Sequence, residues 1–142
     1  MIQFSKQISI RWADLDPNFH MRHSAYYDFG AQLRIEVLDQ LGLSTHLMQE
    51  QGFGPILFRE ECVFRKEIRF ADQIMIDVKM AKLKPDASRW TIRHQFFSPE
   101  GKVHAVITID GAWLDTKLRK LASNIPQAAI DAFHAFPRTE DF

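Results

Sequence analysis

Between residues 2 and 12, Ile2, Phe4, Ile8, Ile10 and Trp12 fall on one face and Gln3, Ser5, Gln7, Ser9 and Arg11 on the other. This is the period-two signature of a strand with one side buried. From Ser24 the period lengthens: Tyr26, Gly30, Leu33, Val37 and Leu41 line one side of a predicted helix that Gly42 ends. After a loop through Gly52, Gly54 and Pro55 the alternation returns, with Ile56, Phe58, Cys62, Phe64, Ile68 and Phe70 opposite Arg59, Arg65, Glu67 and Arg69. Three further strands are predicted over about 74–83, 89–97 and 103–114, with Pro85-Asp86 and Ser98-Pro99-Glu100-Gly101 as turns. Connections this short require antiparallel neighbours. A last short helix is expected with Asn124 as its cap, Pro126 in its first turn, and Ile125, Ala129, Ile130 and Phe133 for burial.

The order is strand, helix, four strands, helix, an α+β arrangement. Five amphipathic antiparallel strands leave an apolar face, and only the first helix is long enough to cover it. A five-stranded sheet wrapped around a long central helix, plus a short C-terminal helix, is the economical solution. The chain of 142 residues, 46% hydrophobic and 25% charged, suits a single globular domain over 1–142, without repeat or linker.

Charge changes the picture only by exclusion. Eighteen Lys plus Arg balance 18 Asp plus Glu, so no global field favours nucleic acid or an anionic membrane. The single cysteine, Cys62, excludes an intrachain disulfide and a multi-cysteine zinc site, and reads as a small core residue. No run approaches the roughly 20 apolar residues of a membrane span, and the first residues, MIQFSKQISI, lack the apolar block of a signal peptide. A cytoplasmic protein is expected.

Chemistry concentrates in Arg11 to Tyr27, RWADLDPNFHMRHSAYY, which puts carboxylates, an amide and two imidazoles between a strand and a helix start. A helix N-terminus aims unpaired N–H groups at whatever binds there. Asp14 reads as a partner for Arg11 or a turn residue. Asp16 is the candidate carboxylate, with Asn18 shaping the loop and His20 and His23 beside it.

Asp16-Pro17-Asn18-Phe19-His20, followed by His23-Ser24-Ala25-Tyr26-Tyr27 opening a helix, resembles the hotdog-fold thioesterases, both the 4-hydroxybenzoyl-CoA thioesterase-like branch and the acyl-ACP branch. The stretch GPILFREECVFRKEIRFADQIMI and the Asn124-Ile125-Pro126 ending extend the resemblance over nearly the whole chain. By that resemblance Asp16 matches the catalytic aspartate of the first branch, and His23 a histidine of several bacterial acyl-CoA thioesterases. Asn18 and His20 match the aspartate-x-asparagine-x-histidine pattern of the second. The chain departs from many relatives in having Arg22-His23 where they carry Asn-Asn, and Ala31 where they carry a helix glutamate.

The resemblance implies an acyl-CoA thioester hydrolase of fatty acid metabolism, with coenzyme A as part of the substrate and neither metal nor cofactor. An acyl-ACP substrate is the second choice, and the assembly is a homodimer or a larger set of dimers. Thioester hydrolysis needs a carboxylate to attack the carbonyl or activate water, and donors for the oxyanion. Asp16 supplies the first and the N–H groups around Ser24, Ala25 and Tyr26 the second. Gly30 marks a close approach of the sheet or of a substrate chain to the helix, since a mid-helix glycine costs about 1 kcal/mol against alanine.

Alternation puts Glu60 on the face of Phe58 and Cys62, whereas a bulge would turn Glu61 inward instead. Either serves as an accessory acid or base or pairs with an arginine. Arg65, Lys66 and Arg69 are candidate contacts for CoA phosphates. Two other readings stay open. One is a hotdog enoyl-CoA hydratase or dehydratase, although its histidine follows an Asn-Pro pair and here the order is Pro17-Asn18. The other is a non-catalytic acyl-thioester-binding module.

Overall fold

The structure, a computed structural model, describes residues 1–142. The 3.6-residue period produces helix α1, Ala25–Gln40, with Tyr26, Gly30, Leu33 and Val37 buried along one stripe. It stops where expected: Gly42 takes φ of +87°, and the Leu43 N–H returns to the Leu38 carbonyl at 2.8 Å. At 16 residues α1 is about 24 Å long.

Seven antiparallel strands form one sheet: β1 (Ser5–Gln7), β2 (Phe53–Phe64), β3 (Met75–Asp77), β4 (Lys79–Leu83), β5 (Trp90–Phe97), β6 (Val103–Asp115) and β7 (Lys120–Leu121). Their order is β1-β3-β5-β6-β2, with β4 also on β5 and β7 on β6. The expected count of five is therefore corrected. The strand predicted over 74–83 breaks at Val78, whose N–H bonds the Phe4 carbonyl at 2.9 Å, and β7 is a short return onto β6.

The first strand is also shorter than 2–12. Arg11 folds back on Asp14 and closes a 3-10 turn at Trp12–Asp14, leaving Trp12 72% exposed instead of on the inner face. A second helix, α2 (Thr45–Gln51), occupies what reads as loop; the Ser44 hydroxyl caps it and Gly52 ends it at φ of +76°. The last helix, α3 (Gln127–His134), starts at Pro126 and is not capped by Asn124.

Cross-strand register builds the inner face in rows: Phe64, Ala105 and Phe96; then Cys62, Ile107 and His94; then Glu60, Ile109 and Ile92. Helix α1 lies against these rows. Tyr26 meets Phe64 and Phe96 edge-on, with ring centroids 5.0 and 5.2 Å away, and Gly30 sits over His94. A bulge between Leu57 and Arg59 inserts Phe58 as an extra residue. Phe58 is thereby turned out, under the Arg89 guanidinium at 5.5 Å. Farther along, Phe53, Trp90, Trp113, Phe133 and Phe136 form an aromatic cluster that seats α3. No helix is long and apolar enough to cross a membrane.

Candidate active site

The loop before α1 is built on two carboxylates with different duties. Asp14, 1% exposed, accepts from the Arg11 guanidinium at 2.7 Å and from the Arg11 N–H at 2.9 Å. The Arg11 hydrogen bonds hold its carboxyl below the usual carboxylate range. Its carbonyl accepts the Arg22 N–H at 2.7 Å, so Asp14 closes the loop upon itself and has no free oxygen for chemistry.

Asp16 is different. Its Oδ1 accepts the N–H groups of Asn18 at 2.9 Å and His20 at 3.1 Å, while its own N–H bonds the His20 carbonyl at 2.8 Å. These bonds fix the side chain and hold Phe19 at a left-handed φ of +63°. The second oxygen, Oδ2, has no hydrogen-bond partner in the chain.

A cavity of about 340 Å³ opens beside it, lined by Asp16, His20, His23, Tyr26, Phe64 and Lys66 among others. The chain thus brings together Asp16 and both histidines at the beginning of α1. Asn18 enters only through its backbone; its side chain is exposed and does not line the cavity. Ser24 stands at the cap position of α1 without capping it: its backbone is already helical, and its hydroxyl accepts from Arg22 instead of from the helix. The first-turn N–H groups of α1 are therefore left without a side-chain acceptor. Ala25 is fully buried and its N–H is taken by the Arg22 carbonyl at 3.0 Å, so the expected oxyanion donor at this residue is corrected and the free donors begin after it. Tyr26 is 3% exposed, and burial pushes its hydroxyl up to about 12.

The choice between the two glutamates is resolved geometrically. Glu60 faces inward in the row of Ile109 and Ile92, with its carboxylate 3.9 Å from the Arg34 guanidinium. Glu61 points outward and pairs with Arg59. Gly30 is explained as well, because a Cβ there would stand 3.2 Å from the His94 ring and 3.3 Å from the Arg34 guanidinium.

Arg34 and His94 escape the sequence reading. His94 is completely buried; its Nδ1 donates to the Asp77 carbonyl at 2.8 Å and its Nε2 accepts from Arg34 at 2.8 Å. Both bonds are made by one neutral tautomer, and burial together with the Arg34 charge drives the ring down to about 3. The available signal was that His94 alternates in phase with Trp90, Ile92 and Phe96, and Arg34 follows Gly30 by one turn. No group of three or more His, Cys, Asp and Glu side chains is placed to hold a metal ion.

Comparison with known proteins agrees with this architecture. A search of curated protein sequences finds no match. Among solved structures, a Staphylococcus aureus protein solved in complex with CoA superposes at a TM-score of 0.85 and 12% identity, over 96% of this chain and 86% of that one. The 1,4-dihydroxy-2-naphthoyl-CoA thioesterase of Synechocystis superposes at 0.80 and 16% identity, over 93% and 96% of the two chains. A gentisyl-coenzyme A thioesterase superposes at 0.77 and 22% identity, over 91% and 98%. These likenesses establish the hotdog fold. Residues 10–133 match the family model of the thioesterase-like superfamily, and the chain belongs to that superfamily.

Proposed function

We propose that this chain hydrolyses acyl-CoA thioesters to free CoA and a carboxylic acid at the cavity beside Asp16. The observation that carries the reading is the pairing of an anchored Asp16 carboxylate, one oxygen unengaged, with an uncapped helix start in the same place. Asp16 acts on the thioester carbonyl carbon, either directly or by taking a proton from the attacking water. The first-turn N–H groups of α1 and the positive end of its dipole receive the carbonyl oxygen as it becomes an oxyanion. His20 and His23 border the same space and position water or the leaving thiolate.

Three supports favour CoA as the carrier. The family is thioesterase-like, fold neighbours include CoA thioesterases and a CoA complex, and Arg65 and Lys66 line the mouth of the cavity. From Lys66 and Glu67 the surface continues into a polar cleft of about 720 Å³ in which Arg69 and Lys102 stand among Glu67, Asp72 and Glu100, so that its cations are the contacts offered to the CoA phosphates. Strand β2 pairs only with β6, so its open edge is the natural seam for a second copy that closes the groove between α1 and β2.

The test is thiol release from short, branched, aromatic and long acyl-CoAs, by the parent and by Asp16→Asn. The parent is expected to turn over at least one class, and Asp16→Asn to lose about 100-fold or more in kcat. A folded variant with near-parent turnover refutes the role of Asp16. A single turnover in ¹⁸O-water separates the two routes: direct attack forms an Asp16–acyl anhydride, and its hydrolysis at the Asp16 carbonyl leaves the label in Asp16 and an unlabelled acid, whereas base catalysis puts the label in the acid and none in Asp16.

A further inference from the structure

Arg34 is a largely buried cation with few partners in the chain. Its side chain is 15% exposed and carries five N–H donors, of which one has an acceptor, the His94 Nε2. That acceptor is neutral and balances no charge. The one nearby carboxylate, Glu60, stands at 3.9 Å, beyond hydrogen-bond distance, and is itself partly in water. A guanidinium that is mostly buried, yet keeps donors open to solvent and no close counter-charge, fits a site that an anion completes.

The space beside Arg34 specifies what that anion is attached to. A cavity of about 230 Å³ is lined by Arg34 together with Leu38, Leu57, Trp90, Ile92 and Phe136, and Arg34 is the only charged residue on its wall. It is separate from the cavity at Asp16, which shares none of its residues. Its volume lies below the roughly 300–1,000 Å³ of drug-sized sites, so the occupant is a small ring or a chain of about six to eight carbons.

We infer that this second cavity binds a small apolar carboxylate, with the carboxylate on Arg34 and the hydrocarbon body against Trp90, Ile92 and Leu38. The ligand displaces Glu60, whose carboxylate is free to rotate into solvent. The same chemistry has two sources, a free acid of the class that thioester hydrolysis releases, or the distal carboxylate of an acyl group still attached to CoA. The binding itself does not depend on the thioesterase reading.

The primary experiment is calorimetric titration of the intact protein with octanoate and phenylacetate, against octan-1-ol and 2-phenylethanol as neutral counterparts. The acids are expected to bind at least about tenfold more tightly than the alcohols, and the gap to close in Arg34→Met. Glu60→Gln removes the competing anion and is expected to tighten acid binding several-fold, a change that a purely structural Arg34–Glu60 pair does not produce. Should Arg34→Met not fold, Arg34→Lys and the acid-to-alcohol ratio of the parent still decide. Equal affinity for acid and alcohol, or no binding of either, overturns the inference.

The source is read from two kinetic arms. Preference for suberyl-CoA over octanoyl-CoA identifies the acyl end, and inhibition of acetyl-CoA hydrolysis by octanoate identifies the free acid. Absence of all thiol release defeats the thioesterase reading and leaves the calorimetric answer standing.

Discussion

His94 is held neutral by full burial and by the Arg34 charge at its Nε2, which together outweigh the Asp77 carbonyl, whose hydrogen bond at Nδ1 favours the charged ring. Its folded value of about 3 lies well below the roughly 6.5 of an unfolded histidine. Between those two pH values the unfolded chain binds a proton that the folded chain refuses. The contribution of His94 to stability is therefore complete above about pH 6.5 and is lost as pH falls toward about 3, by up to a few kcal/mol. Asp14 overlaps only the lower end of this window, since its depressed carboxyl begins to withdraw stability as pH falls through the usual carboxylate range and is common to parent and variant. Asp77, raised by burial, works in the opposite direction but is common to parent and variant. Urea unfolding at pH 7 and pH 4 is expected to show a steep loss in the parent and a shallower one in His94→Gln. Parallel losses in the two proteins contradict the assignment.

At the scale of elements, the β2 bulge and Gly111 act as one device. Gly111 stands opposite Leu57 at the bulge and opposite Trp90 on β5. A Cβ there would lie 2.3 Å from the Trp90 ring and 2.6 Å from the Ile56 carbonyl, so the indole uses the missing side chain as its seat. Gly111→Ala is expected to cost about 1–3 kcal/mol, since Trp90 is wedged among Trp113 and Phe133 and has nowhere to retreat. Thermal or urea unfolding measures it, and an unchanged midpoint rejects the close packing.

The same region shows what was legible in the sequence and what was not. Periodicity alone located α1, β5 and β6, because one face of each is continuously buried and alternation survives along the full length. It misplaced Phe58, because a bulge reverses phase without changing composition. It missed α2, where the Ser44 cap and Gly52 were visible but only Met48 is buried, too weak a stripe to register. In the site, Asp16, His20 and His23 were legible because they are neighbours in one loop. Arg34 and His94 were not, being 60 positions apart and joined only by the packing of α1 on β5.

For the molecule as a whole, β2 is the element that a lone chain leaves unfinished. One edge has no strand partner, Phe58, Val63 and Phe64 are each more than half exposed, and the groove between α1 and β2 is open where Glu60 and Phe64 border it. An edge that is long, apolar and uncharged at these positions favours pairing with another strand, and two copies of β2 related by a two-fold axis satisfy each other. The parent is expected to sediment as two chains. Val63→Lys sets a charge on the seam at a position 52% exposed, which a single folded chain tolerates, so the variant is expected to sediment as one chain with its circular dichroism unchanged. If the second copy closes the groove over the thioester, thiol release falls with the association and recovers as protein concentration rises. A parent that sediments as a single chain at the concentrations of the assay removes the seam from the account, and the site at Asp16 then has to be complete within one chain.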